Sequence, residues 1–375
     1  MKKTYLVLFV LLSLVFSCKK DSTKTILVTP KNSIEHAKGL AIYEYDGFSI
    51  VKITNPWPNA TKSFTYVLNK ENNILADSLK SYPIINVPLK NIVVTSTTII
   101  PFLELLGVEN KLIGFPHTDY ISSVKTRKLI DAGKVVNLGQ NEQINFEKLI
   151  DLSPELIVPF GVDNSNPTLT KIEKNGLKVL IQGDWMEQTP LGKAEWIKLY
   201  GALFGKEKEA KAHFDRIVYN YKKALELTKN ESNQPTMING YMYQNQWFVA
   251  KGDSWIAQFI KDAKGNYLWK NTKGTGSLAL SFENVFEVGN KADIWISGDF
   301  KTLKDLDASN PHYKEFKAFQ SGNVYTFENL KGATGGVIYY EMGPSRPDLI
   351  LKDYLKIIYP NKMKNYSFTF AHQLQ

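Results

Sequence analysis

The stretch Phe146-Glu147-Lys148-Leu149-Ile150-Asp151-Leu152-Ser153-Pro154-Glu155-Leu156-Ile157-Val158 decides the fold. Its pattern predicts a helix over Phe146–Leu152 followed directly by a strand over Glu155–Pro159. The same unit returns as Phe282-Glu283-Asn284-Val285-Phe286-Glu287-Val288 and, after a two-residue insertion, Ala292-Asp293-Ile294-Trp295-Ile296. A helix-to-strand unit in each half points to two similar lobes.

Working outward, Ile92–Ser96 and Lys111–Phe115 are strand-like and enclose a short helix, Ile99–Leu106, ended by Gly107. Downstream, Thr168–Asn175 is helical with Gly176 as its stop, Lys178–Ile181 is a strand, and Pro190–Phe204 is a helix up to Gly205. Such alternation is what a parallel sheet covered by helices requires. From Lys206 to about Lys229 a long helical pattern carries Ala210, Phe214, Ile217, Tyr221 and Ala224 on one stripe. A helix of this length in mid-chain is suited to join two lobes, and β/α alternation resumes at the Thr236–Met242 strand. Ahead of all this, Ala41–Tyr45 and Phe48–Ile53 flank Asp46-Gly47, a hairpin signal, and Phe64–Leu68 continues a small opening sheet. The expected class is α/β: two lobes, each a mostly parallel sheet flanked by helices, joined by one long central helix.

The N-terminus reads as an export signal. Met1–Lys3 is a basic start, Tyr5–Phe16 is a 12-residue apolar run, and Ser17 precedes the only cysteine, Cys18. Twelve helical residues reach about 18 Å, short of the roughly 30 Å hydrocarbon core. Val15-Phe16-Ser17-Cys18 is similar to the lipobox of bacterial lipoproteins, which implies lipidation at Cys18 and an envelope location. The expected organisation is a signal peptide at 1–17, a lipidated tether at 18–40, an N-terminal lobe at 41–205, a connecting helix at 206–230 and a C-terminal lobe at 231–375.

Composition excludes several classes of function. With 43% hydrophobic and 22% charged residues in 375, the chain can bury sizeable cores. One cysteine leaves no internal disulfide and no cysteine-based metal site. Of 46 Lys and Arg only Arg127, Arg216 and Arg346 are arginine, which disfavours nucleic acid as a partner. The formal net charge of +9 falls to +7 when Lys2 and Lys3 leave with the signal, the charge of a basic, solvated surface.

Val93–Gly107, Leu112–Asp119, Asn145–Val158 and the long central helix together resemble the substrate-binding proteins of bacterial ABC importers for iron complexes and cobalamin. In that family the sequence L-E-x-I-x-x-L-x-P-D-L-I-V stands where this chain has Phe146–Val158, with Glu155 in place of the Asp. The likeness runs from about Ile92 to Tyr359. Asn55–Val87, Gly183-Asp184-Trp185-Met186-Glu187 and Pro190-Leu191-Gly192-Lys193-Ala194-Glu195-Trp196 resemble an envelope-lipoprotein branch of it. The resemblance implies a periplasmic-binding-protein-like fold with a rigid hinge and ligand in the cleft between lobes; a monomer that touches the membrane through its lipid only is the expected state. It also implies that one glutamate per lobe docks onto an ABC permease dimer; Glu147 and Glu283 hold those positions, and paired carboxylates suit a two-fold partner.

Candidate cleft residues follow from the rule that open α/β sheets bind ligands beyond the carboxyl ends of their strands. Phe160, Trp185, Tyr243, Trp247, Trp255, Tyr339 and Tyr340 fall there, and such rings suit a planar macrocycle or catecholate. His117, with Tyr120 nearby, lies in a cleft loop, and Arg346 is the candidate anchor for an anionic ligand, its alternative being a salt bridge to Asp348. Among His36, His117, His213, His312 and His372 no pair has metal-ligand spacing, so no metal site, cofactor or enzyme chemistry is expected. The glycine-rich Gly332–Gly336 is expected to let backbone approach the ligand closely. The resulting expectation is a carrier of a ferric siderophore or haem, with a corrinoid as the alternative cargo and an envelope lipoprotein enzyme as the rival class.

Overall fold

The computed structural model describes residues 30–375 apart from 142, 161–170 and 173, so Cys18 and half of the expected 168–175 helix lie outside the described residues. The chain opens with β1 (Leu40–Tyr45), β2 (Phe48–Ile53), β3 (Phe64–Lys70) and β4 (Ile84–Val87), antiparallel except for the parallel β3–β4 pair. Alternation puts Leu40, Ile42, Val51, Ile53, Tyr66, Leu68, Ile85 and Val87 on the buried face.

Next come β5 (Ile92–Val94), α1 (Ile100–Leu105), β6 (Leu112–Phe115), α2 (Val124–Asp131), β7 (Val136–Asn137), α3 (Phe146–Leu152) and β8 (Ile157–Val158). The four strands make a parallel sheet in the order β7-β6-β5-β8. The strand expected over Lys178–Ile181 reduces to single bridges, Val179 to Ile157 and Gln182 to Phe160. The helix expected over Pro190–Phe204 divides into α4 (Pro190–Glu195) and α5 (Ile197–Phe204) around Trp196.

α6 (Glu207–Glu226) is a 20-residue helix, about 30 Å long. Its stripe is shared between two cores: Ala210, Phe214 and Ile217 pack with the first sheets, Tyr221 and Ala224 with the last. The second core is built from β9 (Thr236–Asn239), β10 (Met242–Tyr243), β11 (Gln246–Ala250), α7 (Trp255–Asp262), β12 (Asn266–Tyr267), β13 (Ser277–Leu280), α8 (Phe282–Gly289) and β14 (Ile294–Ser297). It is completed by α9 (Leu303–Ser309), α10 (Lys317–Gln320), β15 (Val324–Thr326), α11 (Ile338–Met342), α12 (Pro347–Ile358) and β16 (His372–Gln373). The main sheet here runs β12-β9-β14-β15-β16, parallel except for β16, beside a small antiparallel sheet β10-β11-β13. Residues 31–375 form one compact unit around these cores, referred to below as the N and C lobes.

The expected tether at 18–40 is corrected at its end, because residues from Asn32 onward are bonded into the fold. The backbone N–H groups of Glu35, His36 and Ala37 donate to the Glu195 carboxylate, and those of Lys38 and Gly39 to Glu187. Glu187 also accepts from the Trp196 indole, and Glu195 from Lys198. Burial pushes the Glu195 carboxyl up, but Lys198 and the three N–H donors outweigh it and hold the group below its usual range. The two phrases 183–187 and 190–196 thus serve as carboxylate clasps on an N-terminal strap.

Candidate functional site

Two hollows lie at the carboxyl ends of the two parallel sheets. The N-lobe hollow, about 320 Å³, is lined by Thr95–Thr97 after β5, Phe115–His117 after β6, Tyr120, Asn141 after β7, and Phe160 after β8. The C-lobe hollow, about 110 Å³, is lined by residues 239–241 after β9, 296–298 after β14, Phe327 and Glu328 after β15, and by Trp255, Tyr339 and Tyr340. All four strands of the first sheet, and β9, β14 and β15 of the second, supply lining from their ends, the topological position at which open α/β sheets present ligand sites.

A seam joins the hollows. The Glu341 carboxylate on α11 accepts from the Ser122 and Ser123 backbone N–H groups at 2.6 and 2.9 Å, and Thr334 Oγ1 donates to the Asp119 carbonyl at 2.7 Å. Burial pushes the Glu341 carboxyl up to about 7, Glu104 adds to the shift, and the two serine N–H groups oppose it. Gly332 and Gly336 are required here: a Cβ on the first would meet Ser122 Cα at 2.6 Å, and one on the second would overlap the Tyr120 carbonyl. The close approach expected of this glycine-rich loop is therefore made to the opposite lobe.

On the N side, His117 sits in the left-handed region at φ 48° and its ring lies 5.1 Å from that of Tyr120, which is exposed. Phe160 and Trp185 are a tilted ring pair 6.0 Å apart, so Trp185 extends the rim of the hollow. On the C side, Trp255 stacks on Tyr339 at 5.7 Å, and the Tyr340 hydroxyl donates to Glu328 Oε1 at 2.7 Å. Burial raises the Glu328 carboxyl, Asp299 adds to it, and Tyr340 and Lys331 oppose it. Behind Trp255, 5.4 Å from the ring centroid, the Lys193 ammonium donates to the Asp184 and Trp185 carbonyls. Burial pulls its pKa down in spite of Asp184 and Glu187.

Three expected cleft residues are placed elsewhere. Trp247 is corrected to a core residue: it is 0% exposed, its indole donates to the Asn239 carbonyl, and it stacks on Trp295 at 5.3 Å. Its strand alternation turns the ring inward, leaving no face for a ligand. Arg346 lines neither hollow; its Nε and Nη2 close on the two Asp348 oxygens, each at 2.9 Å, and Asp348 also accepts from Asn220 on α6. Tyr243 is exposed at the tip of the β10–β11 hairpin, away from both linings. Ser96, Thr97, Asn141, Tyr241 and Glu328 line the hollows without having been anticipated, although the strand-end rule that selected the aromatic rings reaches all five.

Glu147 and Glu283 both stand exposed in the first turn of their helices, α3 and α8, each behind a capping side chain, Asn145 or Ser281. Its own backbone N–H and the Ser281 hydroxyl hold the Glu283 carboxyl below its ordinary range.

A larger hollow, about 790 Å³, lies on the flank between the end of α6 and α7, among Lys229, Lys261, Lys264 and Lys270 with Glu226, Asp253 and Asp262. Its one aromatic lining residue, Tyr267, is itself buried, so it offers no stacking surface. Among the described residues, no group of three His, Cys, Asp or Glu side chains could hold a metal ion, and no helix is long and apolar enough to cross a membrane.

The sequence profile of periplasmic binding proteins matches residues 92–329, so the sheet β1–β4 precedes the matched segment. The chain is similar to an uncharacterized lipoprotein of Methanocaldococcus jannaschii, 26% identical over 374 residues that cover 91% of this chain and 86% of the relative. Among solved structures it is similar to a possible iron-binding periplasmic solute-binding protein from Staphylococcus epidermidis, with a TM-score of 0.56 and 19% identity over 73% of this chain and 100% of that one. It is also similar to a periplasmic heme-binding protein of a Roseiflexus species in its apo form, with a TM-score of 0.54 and 16% identity over 71% of this chain and 99% of that one. At these identities the two structures share the fold with this chain.

Proposed function

The chain belongs to the periplasmic binding protein family, and on that premise we propose that it captures a metal-chelate nutrient between its two hollows and delivers it to an ABC permease from a lipid anchor at Cys18. Family membership makes it a solute-binding protein of the cell envelope, not an enzyme. One observation carries the ligand reading: two hollows at the strand ends of two lobes meet at one seam, with rings presented from both sides, His117, Tyr120 and Phe160 against Trp255 and Tyr340. Rings on two sides bury a broad ligand by stacking and apolar contact. In this reading the metal travels in its own chelate.

A ferric siderophore or haem is the cargo proposed, and the named relatives support it, one being a possible iron-binding protein and another heme-binding. A corrinoid is the second reading, favoured by one observation: no lysine or arginine lines either hollow to meet an anionic group. The lipoprotein name of the archaeal relative supports the anchor. Exposed Glu147 and Glu283, equivalently capped in the repeated units, support docking by one carboxylate per lobe.

Fluorescence quenching of the purified chain by haem, ferric siderophores and cyanocobalamin tests the reading. Saturable quenching by one of them, with the ligand recovered intact, supports a carrier. Recovery of a chemically altered ligand, or no binding to any, rejects it.

A further inference from the structure

We infer that the cleft selects its chelate by charge, admitting a neutral or cationic complex and excluding an anionic one, with Glu328 as the side chain that decides. This rests on the chelate-carrier reading above and narrows it to a class of cargo. Among the described residues, the two linings together contain one carboxylate, Glu328, and no lysine or arginine. Three cations beside the cleft are engaged with other groups. Lys331 pairs with Asp299 at 2.5 Å, Lys193 is turned into two backbone carbonyls behind Trp255, and Arg127 donates to the Thr118 carbonyl. Arg346, the residue that would have held an anion, is spent on Asp348.

Glu328 makes no ion pair: Lys331 acts on it through space while its ammonium is bonded to Asp299. Tyr340 occupies Oε1, and no hydrogen bond or ion pair among the described residues engages Oε2. Tyr340 is therefore a positioning residue that holds the carboxylate at the cleft wall beside Tyr241 and Trp255. A half-buried carboxylate among rings is poorly screened, so a ligand charge placed against it is felt more strongly than one on the open surface. The chain as a whole carries +9, yet that surface charge acts over a screened distance of about 8 Å at physiological salt and does not reverse the sign at contact. An ammonium or amide N–H on the chelate finds an acceptor in Oε2, whereas a carboxylate or catecholate oxygen finds repulsion and no donor of opposite charge.

The test titrates the full-length protein, by tryptophan quenching, with ferrioxamine B, a cationic ferric trihydroxamate, with neutral ferrichrome, and with two anions, ferric enterobactin and haem. The cationic probe is expected to bind tightest and the anions weakest. Its affinity is expected to fall as salt rises from about 50 to 500 mM, a readout that needs no variant. Glu328→Gln, which keeps the side-chain shape and the Tyr340 partner, is expected to weaken ferrioxamine B about tenfold and to flatten its salt dependence, leaving ferrichrome nearly unchanged. Tyr340→Phe keeps the charge and is expected to keep the cation preference. If an anionic chelate binds tightest and Glu328→Gln does not change it, charge selection is wrong while the carrier reading stands. If none of the chelates binds the parent protein, the carrier reading falls and this inference falls with it.

Discussion

The two hollows occupy equivalent places at the ends of two parallel sheets, yet their walls differ in kind. The N-lobe hollow is the roomier, with hydroxyl, amide and imidazole groups beside its rings and no carboxylate among its described lining residues. The C-lobe hollow is narrow, walled by Trp255, Tyr241, Tyr339 and Tyr340, and holds the one carboxylate among the described lining residues, Glu328. A repeated fold thus fixes where a ligand sits, while strand-end residues that differ between the repeats fix what each side can read. The N side supplies neutral polar contacts beside its rings, and the C side supplies rings and charge.

The largest effect expected from this contrast is on stability. Trp247 is a core ring held among Trp295, Tyr313, Phe316 and Phe282, so Trp247→Ala is expected to lose about 3–5 kcal/mol of folding free energy. The fraction that folds should bind chelate as the parent does, which a denaturant titration paired with quenching would reveal. Loss of binding without loss of stability would put Trp247 back in the cleft wall.

The seam between the hollows should be sensitive to pH. Glu341 titrates near 7 in the fold against 4.5 in the unfolded chain, so the folded state keeps a proton there that the unfolded state has lost. This contribution to stability is present at low pH, declines between about 4.5 and 7, and is gone above that window. The parent is expected to lose about 3 kcal/mol more than Glu341→Gln across the same range, at roughly 1.4 kcal/mol per pH unit. Parallel stability curves for the two proteins would contradict the assignment.

Smaller effects separate the two walls. Trp255→Ala removes the C-side stacking face and is expected to cost about 2 kcal/mol of chelate binding, roughly thirtyfold. His117→Ala on the N side is expected to cost about 1 kcal/mol, the scale of a single neutral hydrogen bond. Equal losses at both positions, measured by calorimetry, would mean that the walls share the ligand evenly.

Much of the architecture was legible in advance because it depends on local periodicity. The helix Phe146–Leu152 forms over the range expected, and the stripe Ala210, Phe214, Ile217, Tyr221 and Ala224 is the buried face of α6. Single-ring placement was not legible. Trp247 and Trp255 both follow strands in sequence, but only the packing of β11 against β14 and β13 decides that one ring is core and the other wall. Arg346 had two equally local partners available, a ligand oxygen or Asp348, and spacing alone does not choose between them. Glu328 carries no sequence signal of its own, because a lone acid beside strand-end rings fits no motif and only the fold brings it to the hollow.

The central claim is that one ligand lies between the two hollows. Crystals grown with ferrioxamine B, measured at the iron absorption edge, test it most directly. The account predicts a single anomalous peak at the seam, between Tyr120 of the N lobe and Tyr340 of the C lobe. A peak on the flank among Lys229, Lys261 and Lys264, or none at the seam in crystals shown to contain the chelate, would contradict it.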